Sequence, residues 1–140
     1  MSTYDKLDRP CVIAYVGLLQ GIISRMASNS ANCKVCAVTI LTAVLALSNY
    51  DGCEKCLIAA IPTFLMFLTD SYYLGLERRF KRICDDFIAR IKEGQEPDLF
   101  SIPKSSLSEQ LIGLLGGFRS ISTTPFYLLL GLASLVFSFV

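Results

Sequence analysis

The stretch CLIAAIPTFLMFLTDSYYLGLERRFK, residues 56–81, opens apolar and closes basic without a break in helical character. Up to Thr69 it carries no charge. Asp70 comes next, and Glu77, Arg78, Arg79, Lys81 and Arg82 follow. Pro62 lies inside the apolar part, where a membrane helix tolerates it as a kink. Asp70, Tyr73 and Glu77 recur at i, i+3 and i+7 and share one helix face. Phe80, Ile83, Cys84, Phe87 and Ile91 then form an apolar stripe of helical period. Gly94 is the expected terminator. A helix from about residue 55 to 93 far exceeds the ~20 residues that cross a hydrocarbon core of about 30 Å. Half of it is therefore expected to project from the bilayer.

Composition supports a membrane setting. The chain has 140 residues, 53% hydrophobic and 18% charged, against about a quarter charged in ordinary soluble domains. The apolar excess is gathered into runs, as in one small membrane domain. Histidine is absent, which removes the commonest neutral-pH base and metal ligand. Tryptophan is absent too, leaving Tyr and Phe for an interfacial belt. The opening MSTYDKLDRP lacks the pattern of a secretory leader, so no cleavage is expected.

Upstream, Asp8 is a helix cap and Pro10 a first-turn residue. CVIAYVGLLQGIIS, residues 11–24, is uncharged but only about 14 residues long, which suits a juxtamembrane helix better than a span. Gln20, Arg25 and Asn29 line one polar stripe. That stripe reads either as a solvated edge or as the place where Arg25 pairs with an acid of the long helix. SNSANCK, residues 28–34, reads as a short polar break. VCAVTILTAVLALSNY, residues 35–50, is the first span, with Ala37, Thr39, Thr42, Ala43 and Ala46 small enough for close helix contact. Asp51-Gly52 marks the turn.

Downstream, QEPDLFSIPKSS at 95–106 reads as a loop. LSEQLIGLLGGF at 107–118 reads as a short amphipathic helix capped by Ser106 or Ser108. Residues 120–140 form an uncharged run of 21, taken as a third span; its plainer reading is a hydrophobic helix docked on a soluble protein.

The expected fold class is an all-α membrane protein. It has an N-terminal juxtamembrane helix and about three transmembrane helices, the second continuing into a long cytoplasmic helix. The division is 1–32 N-terminal helix, 33–76 hairpin of two spans, 77–119 cytoplasmic segment and 120–140 C-terminal span, within one membrane domain. Residues 1–34 hold Lys6, Arg9, Arg25 and Lys34, the 51–55 loop only Lys55, and 77–119 hold Arg78, Arg79, Lys81, Arg82, Arg90, Lys92, Lys104 and Arg119. By the positive-inside rule the N-terminus is cytoplasmic and the C-terminus periplasmic in a bacterial inner membrane.

Cys33-x-x-Cys36 and Cys53-x-x-Cys56 have the spacing of a four-cysteine zinc site. The apolar helix between them would hold the pairs roughly 25 Å apart, so no metal site is expected. A Cys53–Cys56 disulfide stays open as an alternative in an oxidising compartment. The simplest reading makes all six cysteines small apolar residues.

Function rests on fewer residues. Asp70 reads as a structural or gating ion-pair member, with Arg25 or a neighbouring subunit, or as a solvated residue where the span ends. The basic cluster Arg78, Arg79, Lys81 and Arg82, with Arg25, reads as orienting charge, as a lipid-headgroup site or as a phosphate-ligand site. Thr39, Thr42 and Thr63 are candidate pore-wall residues, with Asp70, Tyr73 and Glu77 as gating candidates. No catalytic constellation or cofactor motif is present, so enzyme activity and cofactors are not expected.

The segments QGIISRMASNSANCK and TDSYYLGLERRFKRICDD, on an N-terminal helix and on a span that runs into a basic helix, resemble small membrane proteins of bacterial antiphage defence operons. The layout is similar to SLATT-type effectors, two-span proteins found beside nucleotide-signalling enzymes. It also resembles the transmembrane effector of Hailong defence. The third span departs from the two-span pattern. The resemblance implies an oligomeric inner-membrane channel or membrane-disrupting effector. It would be closed until a nucleotide or short oligonucleotide, made by a partner nucleotidyltransferase, binds its cytoplasmic part. Three spans cannot readily enclose a pore, so a homo-oligomer, tetramer or larger, is expected. The alternative from another class is a non-conducting membrane adaptor that docks a soluble partner enzyme.

Overall fold

The computed structural model describes residues 10–47, 53–95, 113, 115–117 and 123–138. The chain is all-helical, with no strand among the described residues. We label the helices α1 (Pro10–Leu47), α2 (Cys53–Lys92) and α3 (Thr124–Ser138). Residues 113 and 115–117 are also helical. The rest of the expected 95–106 loop and 107–118 helix, like Asp8, lies outside the described residues.

The polar break expected at 28–34 is not there. α1 runs through it as 38 unbroken residues, about 57 Å at 1.5 Å per residue. SNSANCK has no proline or glycine to interrupt i→i−4 bonding. The modest propensity cost of Ser and Asn, at most ~0.7 kcal/mol each, yields to packing against another helix. The juxtamembrane helix and the first apolar run are therefore one rod.

α2 has 40 residues and continues through Pro62, about 60 Å in all. Next to the proline, the Thr63 hydroxyl donates to the Ala59 carbonyl at 2.8 Å. At the other end Gly94 takes φ +83°. Its N–H reaches the Ile91 carbonyl at 3.0 Å, and the Gln95 N–H reaches Arg90 at 3.0 Å. This pair of hydrogen bonds is a Schellman stop, and glycine enters its left-handed position without a Cβ penalty.

α1 and α2 pack as a long antiparallel hairpin, with Tyr15 against Phe87 and Ser30 against Asp70. Its open end has a conventional core. Val12, Tyr15 and Leu19 interlock with Cys84, Phe87 and Ile91, and Phe80 and Ile83 pack alongside. The Tyr15 and Phe87 rings meet edge to face at 4.6 Å, a favourable aromatic geometry. The apolar stripe read from the sequence is thus the buried face of α2. Burial raises the pKa of the Cys84 thiol, and the Asp85 charge raises it further.

The turn end is different. Val35, Val38, Leu47, Leu57, Ile61 and Phe64 are apolar yet exposed. Of the most hydrophobic 18-residue windows only 22% in α1 and 17% in α2 are buried. Both helices are long and apolar enough to cross a membrane. Unburied apolar surface on this scale needs lipid or other chains to cover it. α3 has 15 residues of the run expected as a third span. It starts level with Phe67, through a Phe67–Tyr127 ring contact at 5.2 Å, and lies beside the first half of α2.

Candidate functional site

Where the apolar and conventional parts of the hairpin meet, the helices share a polar junction. Ser30 and Lys34 are one turn apart on α1 and face α2. The Ser30 hydroxyl donates to Asp70 Oδ1. Lys34 Nζ lies 2.6 Å from Asp70 Oδ2 and donates to Ser30 Oγ at 3.1 Å. Asp70 is fully buried, and a carboxylate so placed requires a cation and hydrogen-bond donors. The junction supplies both.

Arg25 is not that cation, so of the readings open for Asp70 both the Arg25 pair and the solvated residue are corrected. Asp70 stands level with Ser30 and Lys34. Arg25 is five residues lower, roughly 7.5 Å along the helix, and is exposed. The i, i+4 spacing of Ser30 and Lys34 was the available signal, hidden by reading their segment as a break.

Further hydroxyls are buried on α2 and at the start of α3. Ser71 and Thr123 are fully buried, and Tyr127 is nearly so. Ser71 Oγ, Thr123 Oγ1 and Tyr127 Oη have no hydrogen-bond partner among the described residues. Tyr127 also lies within electrostatic reach of Asp70 and Cys33. Buried hydroxyls of this kind are normally satisfied by water or another group.

Beyond the junction α2 carries the basic stripe. Arg78 and Arg82 are exposed, one turn apart, and Arg82 Nε sits 3.4 Å from the Arg78 carbonyl. Lys81 is paired with Glu77 at 2.5 Å. Arg79, Tyr73 and Glu77 are half-buried. Antiparallel register brings Arg25 level with Gly75 to Glu77, though its side chain is exposed to solvent. The structure therefore sets Arg25 near the start of the basic stripe, with Lys81 and Arg82 about 8–9 Å further along α2, and joins none of them to it.

Arg78 has a further contact. Its Nη1 donates to the Gly116 carbonyl at 2.8 Å. On the same face of α2, Gly113 approaches Gly75, where an added Cβ would stand 3.9 Å from its Cα. Gly117 is closer still. A Cβ there would collide with the Ser71 carbonyl oxygen and lie 3.0 Å from its Cα. Gly113 and Gly117 against Ser71 and Gly75 are two small-xxx-small faces in contact. The i, i+4 spacing is visible in GLLGG at 113–117.

The candidate pore hydroxyls are spent locally. Thr39 donates to Val35 O at 2.9 Å, and Thr42 to Val38 O at 2.7 Å. Both are exposed on α1. Thr63 instead lines an apolar groove of about 500 Å³ between α2 and α3, with Ala59, Phe64, Phe67, Tyr127 and Gly131.

Of the cysteines, Cys33 is buried and Cys36 exposed on α1. Cys36 is 11 residues from the end of that helix, about 16 Å, whereas Cys53 begins α2. The side chains of Cys53 and Cys56 lie outside the described residues. Among the described residues no three His, Cys, Asp or Glu side chains form a metal-sized group. No protein-family model matches the chain, and neither a curated protein nor a solved structure does.

Proposed function

We propose that this chain is one subunit of a homo-oligomeric effector of the bacterial inner membrane, which passes ions when an anionic nucleotide-class ligand reaches its cytoplasmic basic stripe. One observation carries the reading. The same rod is bare and apolar at its turn end and presents exposed Arg78 and Arg82 beyond the Asp70 junction. The bare surface fits lipid and neighbouring subunits. Planar guanidinium groups one turn apart suit phosphate oxygens. The three-span count, with α3 and residues 120–140 as the third, and the cytoplasmic N-terminus belong to this proposal. So does the resemblance to antiphage effectors.

The test is purified protein in liposomes loaded with an ion-sensitive dye. Flux that requires an added cyclic or linear oligonucleotide, and a tetramer or larger in detergent, support the proposal. A monomer, or flux absent with every such ligand, counts against it.

A second reading, a non-conducting adaptor that docks a soluble enzyme, draws on one observation. The Thr39 and Thr42 hydroxyls donate to their own helix carbonyls, so they offer an anion no free donor and only their acceptor lone pairs face outward. Recovery of a stoichiometric partner without depolarisation favours this reading.

A further inference from the structure

We propose that Arg78 pins a glycine strap, residues 113 and 115–117, onto α2, and that an anionic ligand taking the Arg78 guanidinium releases it. This deepens the proposed function and rests on its assignment of an anion to the basic stripe.

Three contacts define the strap. Gly117 is buried against the Ser71 backbone so closely that no Cβ fits, Gly113 faces Gly75, and Arg78 Nη1 holds the Gly116 carbonyl at 2.8 Å. Ser71, Gly75 and Arg78 follow at i, i+4 and i+7, one continuous face of α2. The first two contacts are backbone packing. Only the third has a partner that something else can take.

Arg78 is exposed, so a solute reaches it without the hairpin opening. The Gly116 carbonyl is a neutral, single acceptor. A phosphate is charged and accepts two parallel N–H bonds, adding an ion pair and a bidentate fit to what the single carbonyl bond offers. A phosphate that bridges Arg82 and the Nη1 edge of Arg78 competes with the strap for the same N–H group.

Release has somewhere to go. Six residues after Gly117, Thr123 is fully buried. One turn later Tyr127 packs on Phe67. Ser71, which Gly117 covers, adjoins Asp70 itself. Freeing the strap thus loosens the cover over the Lys34–Asp70 junction and the start of α3.

The experiment is hydrogen exchange, read by mass spectrometry on peptides spanning the strap, with full-length protein in detergent. ATP and sodium tripolyphosphate are the probes, and their binding is measured separately by calorimetry. Arg78→Gln should speed strap exchange about tenfold without any probe, the effect of losing one charge-assisted hydrogen bond. Gly117→Ala should do the same through its collision with Ser71, while leaving probe binding intact. Either probe should bring wild-type exchange toward the Arg78→Gln rate. Unchanged exchange in Arg78→Gln overturns the pin. A probe that binds without speeding strap exchange overturns release alone, leaving the anion site standing. Failure of both probes to bind overturns the anion site and release with it.

Discussion

Lys34 Nζ sits 2.6 Å from Asp70 Oδ2, and the two partners are buried unequally. The carboxylate is wholly enclosed, whereas the lysine keeps 20% of its side chain exposed. Forty residues apart in sequence, Ser30 and Asp70 are joined in the same junction. It sits where the lipid-suited half of the hairpin gives way to the half with its own core.

Unequal burial predicts unequal mutants. Without Asp70, Lys34 swings toward solvent on its flexible stem. Without Lys34, Asp70 stays enclosed as an uncompensated charge. Lys34→Met should therefore cost about 3–5 kcal/mol, and Asp70→Asn about 1–3 kcal/mol. The Lys34→Met, Asp70→Leu double mutant should recover much of the loss. Thermal unfolding in detergent, followed by circular dichroism, ranks the three. Equal losses from the two single changes would contradict the burial argument.

The open-end core should hold the hairpin closed. Phe87→Ala removes the ring that meets Tyr15 and should cost about 3–5 kcal/mol. Truncating exposed Leu57 or Ile61 should leave detergent stability within about 0.5 kcal/mol. The same thermal measurement separates them.

Gly94→Ala forces a Cβ into a residue at φ +83°, a left-handed conformation costing an L-residue roughly 1–2 kcal/mol. The last turn of α2 should fray. Faster amide exchange at Gln95, whose N–H bonds to Arg90, is the expected sign.

Cys84 gives a pH dependence. Its folded-state pKa lies above the ordinary thiol value, through burial first and the Asp85 charge second. Folding thus favours the protonated thiol. The stability it contributes is fully present below the unfolded pKa, about 8.5, and is lost as pH rises through the higher folded value. A melting series from pH 7 to 10 should fall more in wild type than in Cys84→Ala. At pH 8 a maleimide should modify exposed Cys11 faster than Cys84.

Much of α2 was legible in the sequence. Its length, the tolerance of Pro62, the stripe from Phe80 to Ile91 and the stop at Gly94 are all local patterns with one physical outcome. The continuity of α1 was not. Seven polar and small residues resemble a loop until a partner helix gives Ser30 and Lys34 something to bond. Nor was the identity of Asp70's partner legible, because it depends on how two long rods align. The other basic residue of α1, Arg25, lies nine residues from Lys34, about two and a half turns, and so on the opposite side of the helix. Gly117 was hidden for the same reason: its close approach to Ser71 is a property of the packed pair of segments.

The most direct test of the membrane-hairpin account asks which side of a bacterial membrane each end occupies. Two variants keep one native cysteine each, Cys11 near the start of α1 or Cys53 at the start of α2, with all others changed to serine. A membrane-impermeant maleimide is applied to spheroplasts before and after permeabilisation. The account predicts that Cys53 labels at once and Cys11 only after the membrane is opened. Labelling of both from the outside, or recovery of the chain from the soluble fraction without detergent, would contradict it.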